Sequence, residues 1–132
     1  EEFEIDAETK ELDTIFGHTE KFLSHIGFDD KTINSINLAV EEIFVNIANY
    51  GYKPEKGLVN IELVEQEDKV LIIFKDTGRR FNPLSKEDPD ITKNPNERSI
   101  GGLGIFMVKK IMDNMSYEYV NNHNILVISK NK

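Results

Sequence analysis

From Leu38 to Tyr52 the chain reads Leu38-Ala39-Val40-Glu41-Glu42-Ile43-Phe44-Val45-Asn46-Ile47-Ala48-Asn49-Tyr50-Gly51-Tyr52. With Ile33 and Ile36 upstream, residues Val40, Ile43, Phe44 and Ile47 recur at helical spacing, which predicts an amphipathic helix from about Lys31 to Tyr50. At 100° per residue, Glu42, Asn46 and Asn49 fall within about 60° of one another, away from the centre of the apolar stripe. Leu38 and Val45 flank this polar cluster, so it is an island among apolar neighbours. A carboxylate one turn from an amide has chemical uses. The amide oxygen is a hard neutral ligand suited to Mg²⁺. The carboxylate can serve as a general base. The plain alternative is a solvated helix face, where Glu and Asn are common.

Upstream, Phe3 and Ile5 alternate with acids and predict a short strand. Leu12, Ile15, Phe16, Thr19, Phe22, Leu23 and Ile26 predict a helix over Glu8–Ile26, stopped by Gly27. Asp29 or Asp30 caps the next helix. Downstream, Leu58–Val64 and Val70–Phe74 are β-rich runs joined by Gln66-Glu67-Asp68, an antiparallel hairpin. Residues 80–99 carry three of the four prolines, many charges and no periodicity, which reads as a long loop, functional or disordered. Gly101-Gly102-Leu103-Gly104 opens an apolar helix through Met112. Ser116–Val120 and Ile125–Ile128 form a last hairpin around Asn121-Asn122-His123-Asn124. The order β-α-α-β-β-loop-α-β-β predicts an α+β two-layer sandwich, a single domain over 1–132 with helices on one face of one sheet.

Composition narrows the function. Apolar residues make up 39% and charged residues 30%, a globular balance. A domain of this length buries roughly two-thirds of its unfolded surface and needs no covalent or metal staple. With no cysteine, disulfides, iron–sulfur clusters and thiolate zinc sites are excluded. His18, His25 and His123 have no metal-ligand spacing. The net charge of −8 opposes general affinity for nucleic acid or anionic membrane. No apolar run of about 18 residues is present, and the amino end is not a signal peptide, so a soluble cytoplasmic protein is expected.

Two further segments carry chemistry. Asp76-Thr77-Gly78-Arg79-Arg80-Phe81-Asn82-Pro83 ends a strand on a carboxylate able to accept from an exocyclic amine, with Gly78 allowing close approach to the backbone. A strand-ending turn explains the same residues without a ligand. Asp-Thr-Gly is also an aspartic-protease signature, but that chemistry needs two aspartates sharing a proton. Gly101–Gly104 offers free amides and a helix dipole to an anion, or a simple hinge. No Gly-Lys-Ser/Thr follows, so it is not a P-loop, and Met107 stands where a dinucleotide fingerprint has glycine. The eukaryotic kinase set is missing as well.

Taken in order, Glu-x-x-x-Asn, Asp-x-Gly, a long loop and Gly-x-Gly resemble the N, G1 and G2 boxes of histidine kinase-like (GHKL, Bergerat) ATPases. Leu38–Glu42 through Tyr50-Gly51-Tyr52, Asp76–Pro83 and Gly101–Ile105 are similar above all to bacterial anti-sigma factor serine/threonine kinases. The resemblance implies a mixed, mostly antiparallel sheet with ATP and Mg²⁺ as cofactors. It implies Asn46 as the Mg²⁺ ligand and Glu42 as the catalytic base. Asp76 would bind the adenine amine, and Gly78 and Phe81 would shape its pocket. Gly101, Gly102, Leu103 and Gly104 would cradle phosphates, with Asn49 and Tyr50 completing the nucleotide site. Arg80–Ser99 would be the ATP lid, and Arg98 would reach the γ-phosphate. Tyr50 stands where the family often has His. Relatives often place Thr near adenine on the last strand. In this chain Val127 falls at that place, with Ser129 facing the same way.

The implied activity is phosphorylation of a STAS-domain anti-sigma antagonist by a homodimeric, cytoplasmic protein that alternatively holds a sigma factor. An ATP-binding but inactive sequestering module is the alternative. A sensor histidine kinase would bring a dimerisation hairpin with a phosphoacceptor histidine, and an ATP-driven clamp a transducer domain; neither is expected.

Overall fold

The computed structural model describes residues 1–52, 56–85 and 100–132, with the backbone alone for Ser85 and residues 100–103. Its strands are β1 (Glu2–Asp6), β2 (Leu58–Glu65), β3 (Lys69–Asp76), β4 (Asn114–Val120) and β5 (His123–Asn131). Its α-helices are α1 (Leu12–His25), α2 (Asp30–Asn46) and α3 (Ile100–Ile111).

The strands form one sheet in the order β1-β2-β3-β5-β4. Every pairing among the described residues is antiparallel, so the expected mixed sheet is antiparallel throughout. Alternation decides which face is covered. Ile5, Val59, Ile61, Leu63, Val70, Ile72, Phe74, Leu126 and Ile128 are buried in one core with Ile15, Leu23, Ile33, Ile36, Val40, Ile43 and Phe44 of α1 and α2 and Ile105 and Val108 of α3. The helices therefore cover one face of the sheet, as the patterning predicts.

Local chemistry explains the ends. A 3₁₀ turn (Thr9–Glu11) leads into α1. Gly27 takes φ 105° at the end of α1, and the amide of Phe28 donates to the carbonyl of Leu23, closing the helix. Of the two candidate caps of α2, Asp29 is the one used: its carboxylate accepts from the amide of Thr32 at 2.8 Å. That bond holds its carboxyl below the usual carboxylate range. The α-helical part of α2 ends at Asn46, and Ile47–Gly51 winds on as a π-turn, where a regular helix is predicted to Tyr50.

The last hairpin turns on two residues. Asn121 and Asn122 adopt φ 51° and 65°, the left-handed pair of a type I′ turn. His123 and Asn124 are thus strand residues, where the sequence reading has them in the turn.

Candidate functional site

The end of α2, the end of β3 and the start of β5 meet around a pocket. Its lining is Ile43, Asn46, Ile47, Gly51, Asp76, Arg79, Phe81, Pro83, Tyr117, Asn124 and Leu126. Two of the predicted boxes therefore converge: Asn46 from the first, Asp76 and Phe81 from the second. The walls are mostly apolar, and Asp76 is the carboxylate among them.

Backbone ties hold this convergence. The amide of Arg79 donates to the carbonyl of Gly51 at 3.0 Å, joining the π-turn to the turn after β3. The Tyr52 hydroxyl donates to the Leu58 carbonyl (2.9 Å) and accepts from the Thr77 amide (2.8 Å). Gly57 leaves room for that ring, since a Cβ there would strike it. A π-turn widens the helix, a feature frequent at functional sites. Here it brings Ile47 and Gly51 into the pocket wall. Asn49 shares the turn but does not line the pocket. Tyr50 is exposed, and its ring lies 6.2 Å from that of Phe81 at the pocket edge.

Asp76 is 5% exposed. Its Oδ1 accepts from the Gly78 amide (2.9 Å) and from Asn124 Nδ2 (3.1 Å). Among the described residues no hydrogen bond ends on its Oδ2. Burial pushes the carboxyl above its ordinary range, against the opposing pull of Asn124, Gly78 and His123. A carboxylate in an apolar pocket with one oxygen unclaimed fits a ligand that brings a hydrogen-bond donor on a flat apolar body.

Glu42 lies one turn before Asn46 and faces α3. A Cβ on Gly104 would meet the Glu42 carboxylate, the movable end of a flexible side chain, so Glu42 reaches α3 at this point. Partial burial, and then the neighbouring charge of Glu41, raise the Glu42 carboxyl above its ordinary range. A raised carboxyl suits proton transfer near neutral pH. Gly101, Gly102 and Leu103 sit in the first turn of α3, which begins at Ile100. Arg98 and residues 86–99 of the predicted lid lie outside the described residues. The described start of that segment, Arg80–Ser85, holds a 3₁₀ turn over Pro83–Ser85, and Arg80 lies 4.9 Å from the Tyr119 ring centre.

The structure corrects the reading of the last strand. Val127 pairs with Ile73 and Ser129 with Leu71, on the sheet face away from the helices. The residue in register with Asp76 is Asn124, 6% exposed. Its Nδ2 also donates to the Arg79 carbonyl at 2.8 Å, and its Oδ1 accepts from the Phe81 amide (3.1 Å) and the Tyr117 hydroxyl (2.5 Å). Sequence reasoning missed Asn124 by assigning it to the turn; the Asn121-Asn122 pair, suited to a two-residue turn, was the available signal.

Comparison with known proteins agrees with this fold. The family described as histidine kinase-like ATPase domain matches residues 5–130. The chain is similar to the serine-protein kinase RsbW of Listeria monocytogenes, with 28% identity over 101 residues, covering 73% of this chain and 64% of the relative. It is 33% identical over 95 residues to the RsbW of Staphylococcus aureus, covering 67% of this chain and 58% of that protein. The chain thus spans about three-fifths of the length of these relatives. A crystal structure of the RsbU and RsbW domains of a Mycobacterium tuberculosis protein superposes with a TM-score of 0.62 at 16% identity, covering 98% of this chain and 32% of that one. That likeness shows a shared fold. No helix among the described residues is long and apolar enough to cross a membrane. With the profile matching from the first strand to the last and Asn46, Asp76 and Phe81 gathered in one pocket, the chain belongs to the histidine kinase-like ATPase domain family.

Proposed function

We propose that the chain, a single domain over 1–132, binds Mg-ATP in the α2–β3–β5 pocket and phosphorylates a serine or threonine of a partner protein. The observation that carries this is the buried Asp76 carboxylate, held through Oδ1 in a pocket with apolar walls, with Asn46 on the same lining. Ile43, Ile47 and Leu126 suit an adenine ring, and Asp76 suits its amine. Asn46 offers a hard oxygen to Mg²⁺. Among the described residues no group of three or more His, Asp or Glu side chains is placed to hold a metal. Asn46 would be the residue that holds the ion.

Bound Mg-ATP supplies an electrophilic γ-phosphoryl group whose charge the cation offsets. Glu42 would take the proton of the hydroxyl that accepts that group, acting as the general base. The amides of Gly101, Gly102 and Leu103, in the first turn of α3, would receive the phosphates, with Gly104 one turn further in and Arg98 joining them. The similarity to RsbW kinases supports a STAS-domain anti-sigma antagonist as the acceptor. In the same reading a sigma factor is the alternative partner and the chain acts as a cytoplasmic homodimer.

The test is calorimetric titration of ATP with and without Mg²⁺ on the wild type and Asn46→Ala. Micromolar, Mg-dependent binding that Asn46→Ala abolishes supports the reading. Absence of binding at millimolar ATP overturns it. Binding without transfer to any STAS partner would leave an ATP-dependent sequestering module instead.

A further inference from the structure

We propose that Asn124 is the positioning residue for the Asp76 carboxylate, closing its Oδ1 and locking the 78–81 turn so that Oδ2 is the oxygen offered to a ligand. This rests on the pocket being a ligand site, as argued above. It adds a residue that neither the family match nor the sequence motifs assign.

The hydrogen bonds leave one orientation for the amide. An asparagine has two donor hydrogens and one acceptor oxygen with two lone pairs. The oxygen end of Asn124 meets two donors, the Tyr117 hydroxyl and the Phe81 amide. The nitrogen end meets acceptors: Asp76 Oδ1, the Arg79 carbonyl at 2.8 Å and the Gly78 carbonyl at 3.4 Å. Flipping the amide would set donor against donor at one end and acceptor against acceptor at the other. In a buried site each mismatch is costly. One side chain on β5 thus joins β4, the end of β3 and the turn that forms the pocket wall. No aspartate can reproduce this in its ionised form, because a carboxylate only accepts.

The consequence is selectivity. With Oδ1 already saturated by Asn124 and Gly78, Asp76 presents an acceptor, which fits a 6-amino purine and opposes a 6-oxo purine at the same place. Removing Asn124 frees the carboxylate to rotate and reopens Oδ1, so the discrimination falls. Removal also takes away a bond that favours the ionised carboxylate, so Asp76 holds its proton to higher pH. The other groups around Asp76 are Tyr117 on β4, His123 on β5 and Arg79 on the turn, while α2 contributes the uncharged Ile43 and Asn46. Arg79 and His123 are common to the wild type and the Asn124 variants, and their effect cancels in the comparison; Tyr117, whose hydroxyl loses its acceptor when Asn124 is removed, is controlled by Tyr117→Phe.

The experiment measures two things on the full chain, wild type, Asn124→Ala, Asn124→Asp and Tyr117→Phe. The first is the carboxyl ¹³C titration of Asp76 in the free protein, assigned with Asp76→Asn. The second is binding of ATP and of ITP. The expected result is an Asp76 titration moved to higher pH in Asn124→Ala, and an ATP affinity at least tenfold weaker while ITP changes far less. Asn124→Asp regains ATP affinity as pH falls from 8 to 5.5, because the introduced carboxyl, once protonated, donates to Asp76; the wild type does not. Tyr117→Phe, which loses a single oxygen and keeps the ring, gives a smaller change in the same direction and decides the matter if the Asn124 variants do not fold. An unmoved Asp76 titration in Asn124→Ala, or an ATP-to-ITP affinity ratio in that variant equal to the ratio of a wild type that binds ATP, overturns the inference alone. A wild type that binds neither nucleotide overturns the functional reading, and the free-protein titration then still decides whether Asn124 positions Asp76.

Discussion

A Cβ built on Gly78 would lie 2.8 Å from the carbonyl oxygen of Gly51 and 3.1 Å from Asp76 Oδ1. The turn after β3 and the π-turn after α2 touch through backbone at this point, and the Arg79 amide bonds to the same Gly51 carbonyl. Glycine at 78 is therefore required by packing inside the protein, before any ligand arrives. Gly78→Ala forces the two turns apart. Overpacking of this kind costs about 1–3 kcal/mol. The expected outcome is that loss in urea denaturation, with nucleotide affinity reduced at least tenfold; an alanine variant of wild-type stability would contradict the contact.

Under the proposed function, Asp76 trades stability for binding. Its folded carboxyl titrates above the unfolded one because burial disfavours the charge. A raised folded value means the native state holds the proton more tightly. That contribution to stability is present below the unfolded value and is lost as pH rises through the folded one. At pH 7 the ionised group is thus a cost to the fold. Asp76→Asn, whose Oδ1 can keep the bonds from Gly78 and Asn124, should melt higher than the wild type at pH 7. The gap should narrow as pH falls toward 4. ATP binding should be lost in the same variant. Thermal melts across pH, paired with calorimetry, check both halves.

Glu42 and Glu41 make a separable pair. Glu42→Gln should keep ATP binding and slow phosphoryl transfer roughly 10²–10⁴-fold, the usual contribution of a positioned base. The acid limb of the pH–rate profile should follow Glu42, which loses activity when protonated. Glu41 helps hold that proton on, second to burial. Glu41→Gln should therefore shift the acid limb to lower pH while leaving the plateau rate intact. A limb that does not move would remove Glu42 as the titrating group.

Phe44 is fully buried under α2, on the face opposite the polar cluster. Phe44→Ala should cost about 3–5 kcal/mol, the range for deleting a core phenyl ring. At the exposed N-terminus of α2 the two aspartates should differ: Asp29→Ala lowers the melting temperature and Asp30→Ala does so less, since the cap bond to Thr32 comes from Asp29. Equal effects from the two would place the cap elsewhere.

The layers, the helix faces and most of the pocket's first two boxes are legible in the chain's local patterns. Helical spacing of Ile33, Ile36, Val40, Ile43 and Phe44, and strict alternation in Val59, Ile61, Leu63 and Val70, Ile72, Phe74, are patterns that only one packing can bury. Asp76 stands out because it ends such a strand, and Asn46 because it sits one turn from Glu42. The far wall of the pocket depends instead on contacts between distant segments. The strand period is two, so a shift of one residue sends every side chain to the opposite face. A two-residue turn at Asn121-Asn122 sets the register of β5 against β4, and the long-range pairing of β3 with β5 sets Asn124 opposite Asp76. That pairing turns Val127 outward and Asn124 inward against Asp76. The π-turn after Asn46 is of the same kind: bonds from Gly51 and Tyr52 to residues 25 or more positions away hold it, and no local propensity encodes them.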